Sequence, residues 1–161
     1  MTALTDELLD AIAQHVEPHY PNEACGLVLE GEDGGLKVVP TPNLADKYHA
    51  LDPEAYPRTS RTFYMINTLE IAKAQRRGEK LRVIFHSHCD VGDYFSEEDH
   101  RQAVDPEGQP LWPGCQYLVV SVREGRTDHA TLFAHTSGAG AFEEVEAFSF
   151  QPAPSLQSST S

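Results

Sequence analysis

The chain is 161 residues long, the span of one domain of about 100–200 residues and too short for a (β/α)₈ barrel of roughly 250. Hydrophobic residues make up 40% and 11 glycines join them, enough for a folded core, so global disorder is excluded. Twelve basic residues against 25 acidic ones give a formal net charge of −13; a surface this acidic has no footprint for nucleic acid or an anionic membrane and favours partners with basic surfaces.

The first segment reads as a helix. Leu4, Leu8 and Ile12 recur at helical spacing, Leu9 and Val16 widen the stripe, and Thr5 stands as N-cap before Asp6 and Glu7. Pro18 and Pro21 end it. The same segment has no basic leader and no unbroken apolar run, so no signal peptide is expected. No stretch approaches 18 apolar residues, so no spanning helix is expected either. The three cysteines, Cys25, Cys89 and Cys115, are too few and odd in number for a disulfide framework. A reducing compartment, the cytoplasm, is the expected address.

Ala24–Leu29 has the pattern of a buried strand, Glu32–Gly35 that of a turn, and Leu36–Val39 begins the return strand of a hairpin. Residues 40–60 show no clear period and read as loop with a short strand or two. A second helix begins after Asn67, with Glu70 in capping-box position, Ile66 and Ile71 as staple, and Arg76, Arg77 and Gly78 as its end. Leu81–Phe85 reads as a central strand and Ser96 opens a third, short helix. Gln116–Val122 is the strongest strand, followed by a turn at Glu124–Arg126 and by candidate strands at His129–His135 and Glu143–Phe150. Residues 151–161 are rich in Pro, Ser and Gln and are expected to be a disordered tail behind a single domain spanning 1–150. The order α-β-β-α-β-α-β-β-β predicts α+β, or α/β with a mixed sheet.

The chemistry concentrates in residues 85–99. His86 and His88 alternate with Ser87 on a strand and so project from one face, a pincer for a metal. After seven intervening residues Ser96 caps a helix whose third residue is Asp99, a placement that returns a carboxylate to the two imidazoles. Two histidines and an aspartate with an open fourth position form a catalytic rather than a closed structural zinc set. Hydrolysis also needs a proton carrier. Many acids are available, and spacing alone leaves Glu23, just before an apolar strand, as one candidate among them.

The span His86-Ser87-His88, seven residues, Ser96, two residues, Asp99 resembles the motif of the JAMM (MPN+) zinc metallopeptidases, and Pro21-Asn22-Glu23-Ala24-Cys25-Gly26-Leu27 resembles the segment that carries that family's catalytic glutamate. The resemblance runs in order across residues 4–150. It implies an α/β fold, a curved mixed sheet flanked by helices in the three-layer, cytidine-deaminase-like manner. It also implies Zn²⁺ held by His86, His88 and Asp99, Glu23 as general base and then acid toward a zinc-bound water, and Ser96 as hydrogen-bond donor to the developing oxyanion. Ser87 is expected behind the ligands, on the opposite face. The implied substrate is the peptide or isopeptide bond after the C-terminal Gly of a ubiquitin-like or sulfur-carrier protein. No nucleic acid or membrane partner is implied, and the sequence sets no oligomeric state. Bacterial-type single-domain members are the nearest kind, since the chain has no room for long ubiquitin-gripping insertions.

Cys89 stands where the family usually has Pro, and a thiol there reads as inert packing, a redox-sensitive gate or an off-pathway ligand. Val91 breaks the metallo-β-lactamase pattern that His86-x-His88-x-Asp90 would begin. The other class to weigh is a catalytically silent scaffold of the same fold that binds partners, which bound metal would discriminate. His15 and His19 stand four apart, but Pro18 lies between them and no third ligand is near in sequence. His100 follows Asp99 and reads as a contact to the site or a solvent-facing ring; His49, His129 and His135 have no partners by spacing. Trp112 reads as core or as an exposed anchor.

Overall fold

The structure, a computed structural model, describes residues 3–136 and 140–150. Helix α1 spans Asp6–Val16, with the Thr5 hydroxyl accepting from the Leu8 N–H at 3.2 Å. A 3₁₀ turn, Glu17–His19, follows. Strands β1 (Cys25–Glu30) and β2 (Leu36–Thr41) form the expected hairpin. Helices α2 (Ala45–Leu51) and α3 (Thr68–Arg76) lead to β3 (Lys80–Cys89). Helix α4 (Glu97–Ala103) is followed by β4 (Gln116–Arg123), β5 (Arg126–Thr136) and β6 (Ala141–Ser149). Among the described residues no helix is long and apolar enough to cross a membrane. The tail 151–161 lies outside the described residues.

The six strands make one mixed sheet in the order β2-β1-β3-β4-β5-β6. Only the central pair β3/β4 is parallel, joined by the crossover through α4; the other pairs are antiparallel. Because strand side chains alternate, the sheet has two apolar faces. Val28, Val83, Phe85, Leu118 and Val120 pack under α1 through Leu9, Ile12 and Val16. Leu27, Ile84 and Tyr117 pack under Ile71 and Ala74 of α3 and Ala103 of α4. The result is the three-layer α/β arrangement expected. His86 and His88 share parity with Ile84, so they belong to the α3/α4 face.

Gly26 has a packing reason to lack a side chain. It pairs with Phe85 across β1/β3, and a Cβ there would lie 2.4 Å from the Phe85 ring and 2.8 Å from the Val39 carbonyl. Trp112 settles as a half-buried ring against the α3/α4 core.

The structure departs from the sequence reading in two places. Residues 40–60 contain helix α2 and no strand beyond Thr41. That helix buries only Ala45 and has no side-chain cap, so it carries no apolar period to read. Asn67 does cap α3, but onto the Leu69 N–H at 3.1 Å, and Glu70 turns to Lys73 at 3.5 Å, so only half of the capping box forms. The histidines do lie on strand β3 as expected: it runs to Cys89, because parallel pairing to β4 continues through His88 opposite Ser121.

Candidate metal centre

Strand β3 fixes the two imidazoles. His86 is fully buried and stacks on Tyr64, with ring centroids 4.0 Å apart and planes 15° from parallel. The ring of His88 is oriented by its Nδ1, which lies 3.0 Å from the Gly92 carbonyl. A carbonyl can only accept, so Nδ1 carries the hydrogen and Nε2 offers its lone pair to the site. The two Nε2 atoms stand 3.1 Å apart.

Helix α4 supplies the carboxylate. Ser96 and Asp99 form a reciprocal capping box: the Ser96 hydroxyl accepts from the Asp99 N–H and the Asp99 carboxylate accepts from the Ser96 N–H, both at 3.0 Å. The box aims the same carboxylate at β3, with Oδ1 3.0 Å from His86 Nε2 and Oδ2 3.2 Å from His88 Nε2. Burial would raise the Asp99 pKa, but the two imidazoles outweigh it and hold the carboxyl well below the usual range. Ser96 accepts at its oxygen and keeps its hydroxyl hydrogen unengaged among the described residues.

Glu23 arrives by strand register. Cys25 opposes His86 in the antiparallel β1/β3 ladder, so one further pair sets Ala24 beside Ser87, and the next sets Glu23 beside His88. Opposed residues share a face, which puts Glu23 with the histidines. One carboxylate oxygen of Glu23 and one nitrogen each of His86 and His88 lie within 4.8 Å of one another. Ser87, on the opposite face, accepts the Ala24 N–H at its hydroxyl and donates its own N–H to the Ala24 carbonyl, both at 2.9 Å. It thereby pins the residue next to Glu23. Burial pushes the Glu23 carboxyl up to about 8; Asp99 adds to the rise, while His88 and Arg58 oppose it. A carboxyl poised there can both take and return a proton near neutral pH.

Several positioning residues were invisible in the sequence. Asn43 donates from Nδ2 to the Glu23 and Phe63 carbonyls, at 2.9 and 3.0 Å, and accepts at Oδ1 from the Ala45 and Met65 N–H groups, at 3.0 and 2.9 Å. The Glu23 N–H donates to the Ser60 carbonyl at 2.7 Å, and Asp46 in turn grips Ser60 through its N–H and its hydroxyl, each at 2.7 Å. The "loop" of the sequence reading is thus the clamp on the Glu23 backbone. Apart from the local Asn43–Ala45 bond, these bonds join residues 14–37 apart with no period between them; the only signal was an Asn and an Asp flanking a stretch without pattern.

The ligand set can be tested against a metal. Atoms 2.0–2.1 Å from a tetrahedral zinc lie about 3.3 Å from each other. The three contacts among His86, His88 and Asp99, at 3.0–3.2 Å, match that spacing. Two imidazoles and a carboxylate converge in a buried spot where, among the described residues, no Lys or Arg forms an ion pair with them, the chemistry of a divalent-metal site.

The remaining candidates fall elsewhere. His15 Nε2 lies 3.0 Å from the Cys25 carbonyl, and His19 Nδ1 lies 3.0 Å from the His15 carbonyl, so each ring serves the backbone. Asp90 accepts from Tyr20 and from the Glu124 N–H, and Asp93 accepts from Thr131, so the acidic turn is tied to the scaffold. His100 packs on Phe95 and Phe142, and His49 bonds the Tyr56 carbonyl. The Cys89 thiol is half-buried and pushed up to about 11, by burial and then by Glu23, so it stays protonated.

A family model described as prokaryotic homologs of the JAB domain matches residues 5–134. Relatives from Mycobacterium bovis and Mycobacterium tuberculosis, both named CysO-cysteine peptidase, are 28% identical over 143 residues, covering 86% of this chain and 86% of each relative. Among solved structures, one from Desulfitobacterium hafniense matches with a TM-score of 0.59 at 24% identity over 91% of this chain and 90% of its own. Another, from Salinibacter ruber, matches with a TM-score of 0.55 at 25% identity over 93% and 91%.

Proposed function

The chain belongs to the prokaryotic JAB-domain family, and from that premise we propose that it is a zinc-dependent peptidase acting on the amide bond after the C-terminal Gly of a sulfur-carrier or other ubiquitin-like protein. One observation carries the reading: Glu23, His86, His88 and Asp99, from three separate segments, converge in one buried cluster beside Ser96. The relatives named for CysO-cysteine support the substrate class, and the free cysteines suit a cytoplasmic setting.

In this reading His86, His88 and Asp99 hold Zn²⁺. The ion, when bound, supplies Lewis acidity toward the scissile carbonyl and the attacking water. Glu23 takes a proton from that water and returns it to the nitrogen of the leaving amine as the C–N bond breaks. Its raised pKa and its clamped backbone suit both transfers. Ser96 holds its unengaged hydroxyl hydrogen toward the carbonyl oxygen as charge develops there. Asn43 and Ser87 keep the Glu23 backbone in place.

The test is hydrolysis of a CysO–cysteine conjugate. Glu23→Gln keeps the metal and loses activity by about 10²-fold or more, the range of a general base. Hydrolysis by Glu23→Gln at the wild-type rate contradicts the assignment.

A further inference from the structure

Beside Glu23, His88, Ser96 and Asp99 lies a cavity of about 160 Å³. Pockets for drug-sized ligands run to about 300–1,000 Å³, so this one suits a single small residue. Two of its other lining residues are Arg58 and Arg61. Among the described residues, six of the twelve basic residues pair with carboxylates, and of the six that do not only Arg58 and Arg61 line this cavity. Arg58 and Arg61 make no ion pair among the described residues, in a chain whose net charge is −13.

Arg58 is nevertheless held in place. Its Nε donates to the Thr62 hydroxyl at 3.3 Å, its Nη2 donates to the Thr62 carbonyl, and its guanidinium lies 5.6 Å from the centre of the Phe63 ring. That leaves Nη1 uncommitted. A third donor lines the same cavity: the side-chain nitrogen of Gln102 is buried with no hydrogen-bond partner among the described residues. A buried donor without an acceptor is costly, which applies to Gln102; the two exposed guanidiniums on the same wall add positive charge, so the cavity suits an anionic acceptor. The acids on the wall do not supply it. Glu98 pairs with Arg101 at 3.1 Å, Asp99 with the two histidines, and Glu23, although it feels the charge of Arg58, makes no ion pair with either arginine among the described residues.

We propose that this cavity is a leaving-group subsite that binds the free α-carboxylate of a single C-terminal residue through Arg58, Arg61 and Gln102, making the protein a peptidase that removes one amino acid and not an isopeptidase. The inference rests on the peptidase reading above. The chemistry favours this group because an α-carboxylate stands two bonds from the scissile nitrogen, within reach of a donor cluster beside the proton carrier. A lysine side chain in an isopeptide offers only methylenes there and leads to a folded protein that a cavity of this size does not admit. In the reaction water adds to the Gly carbonyl, the C–N bond breaks and the nitrogen gains the proton from Glu23. The products are a carrier ending in a Gly carboxylate and one free amino acid.

The experiment compares the CysO–cysteine conjugate as free acid and as C-terminal carboxamide. Losing a charge-assisted interaction costs about tenfold to hundredfold, so the carboxamide falls by that factor in kcat/KM with wild-type enzyme. Arg61→Gln, an exposed position, narrows the ratio of acid to carboxamide cleavage toward one. The Kd for the acid over the carboxamide on the uncleaving Glu23→Gln variant shows the same ratio. Equal cleavage and equal binding of the two forms by proteins with the wild-type site at Arg58 and Arg61 overturn the subsite while leaving the peptidase standing. Cleavage of neither form by zinc-loaded wild type overturns the peptidase reading, and the subsite falls with it.

Discussion

Asn43→Ala tests whether the loop before β3 is a clamp on the site or a mere connection. Four hydrogen bonds of 2.9–3.0 Å meet at this side chain, two given and two received, all to backbone groups. A net bond is worth about 0.5–1.5 kcal/mol. The residue is only half-buried, so water recovers part of each, and the expected loss is about 2–4 kcal/mol. For a chain of this size that is a fall in Tm of roughly 5–15 °C, read by thermal or urea unfolding. Asn43→Asp is the sharper variant: it keeps the shape and both accepted bonds but sets a carboxylate oxygen against the Glu23 and Phe63 carbonyls. Since the Glu23 carbonyl is one of the released groups, kcat falls in both variants while zinc content, fixed by β3 and α4, stays at the wild-type level. Unchanged kcat at temperatures where the variants remain folded, or a stability loss under about 0.5 kcal/mol, refutes the clamp.

The other predictions are shorter. Gly26→Ala drives a Cβ into the Phe85 ring and the Val39 carbonyl and costs about 1–3 kcal/mol or more by overpacking; a urea midpoint equal to the wild type's contradicts the packing described. Ser87→Ala leaves the buried Ala24 N–H without its acceptor and costs about 1–3 kcal/mol, with kcat reduced more than KM; a change in KM alone argues against a link to Glu23. His15 bears on pH. Burial holds its pKa below 6.5, against the pull of the Cys25 carbonyl and with help from His19, so the unfolded chain binds more protons there than the folded one. Stability from this group is present above pH 6.5 and is lost as pH falls below it. Unfolding free energies from pH 7.5 to 5 then fall less steeply in His15→Gln than in wild type, and parallel curves contradict it.

How much of this was legible follows from the range of each interaction. His86, His88, Ser96 and Asp99 stand within 14 residues, and strand alternation and a helix cap are local rules, so their convergence could be read from spacing. Glu23 could not be chosen by spacing, because its place depends on the pairing of Cys25 with His86, 61 residues on; the family resemblance selected it. Asn43, Asp46 and Ser60 act through backbone carbonyls and N–H groups, which any sequence possesses, and α2 buries too little to show a period. Arg58 and Arg61 look like ordinary surface charges until the fold sets them on the wall of the cavity beside Glu23. Asp90 and Asp93 stand close to the ligands in sequence, yet what occupies them is distant in sequence and so not legible there: Tyr20, Glu124 and Thr131.

The central claim is a zinc centre built on β3 and α4. Elemental analysis of protein purified without a histidine tag, beside His88→Ala, tests it with no knowledge of the substrate. The account predicts about one zinc per chain in the wild type and its loss in the variant. A wild type that takes up no zinc after reconstitution, or a variant that retains it in full, contradicts the account and turns the reading toward a catalytically silent binding domain.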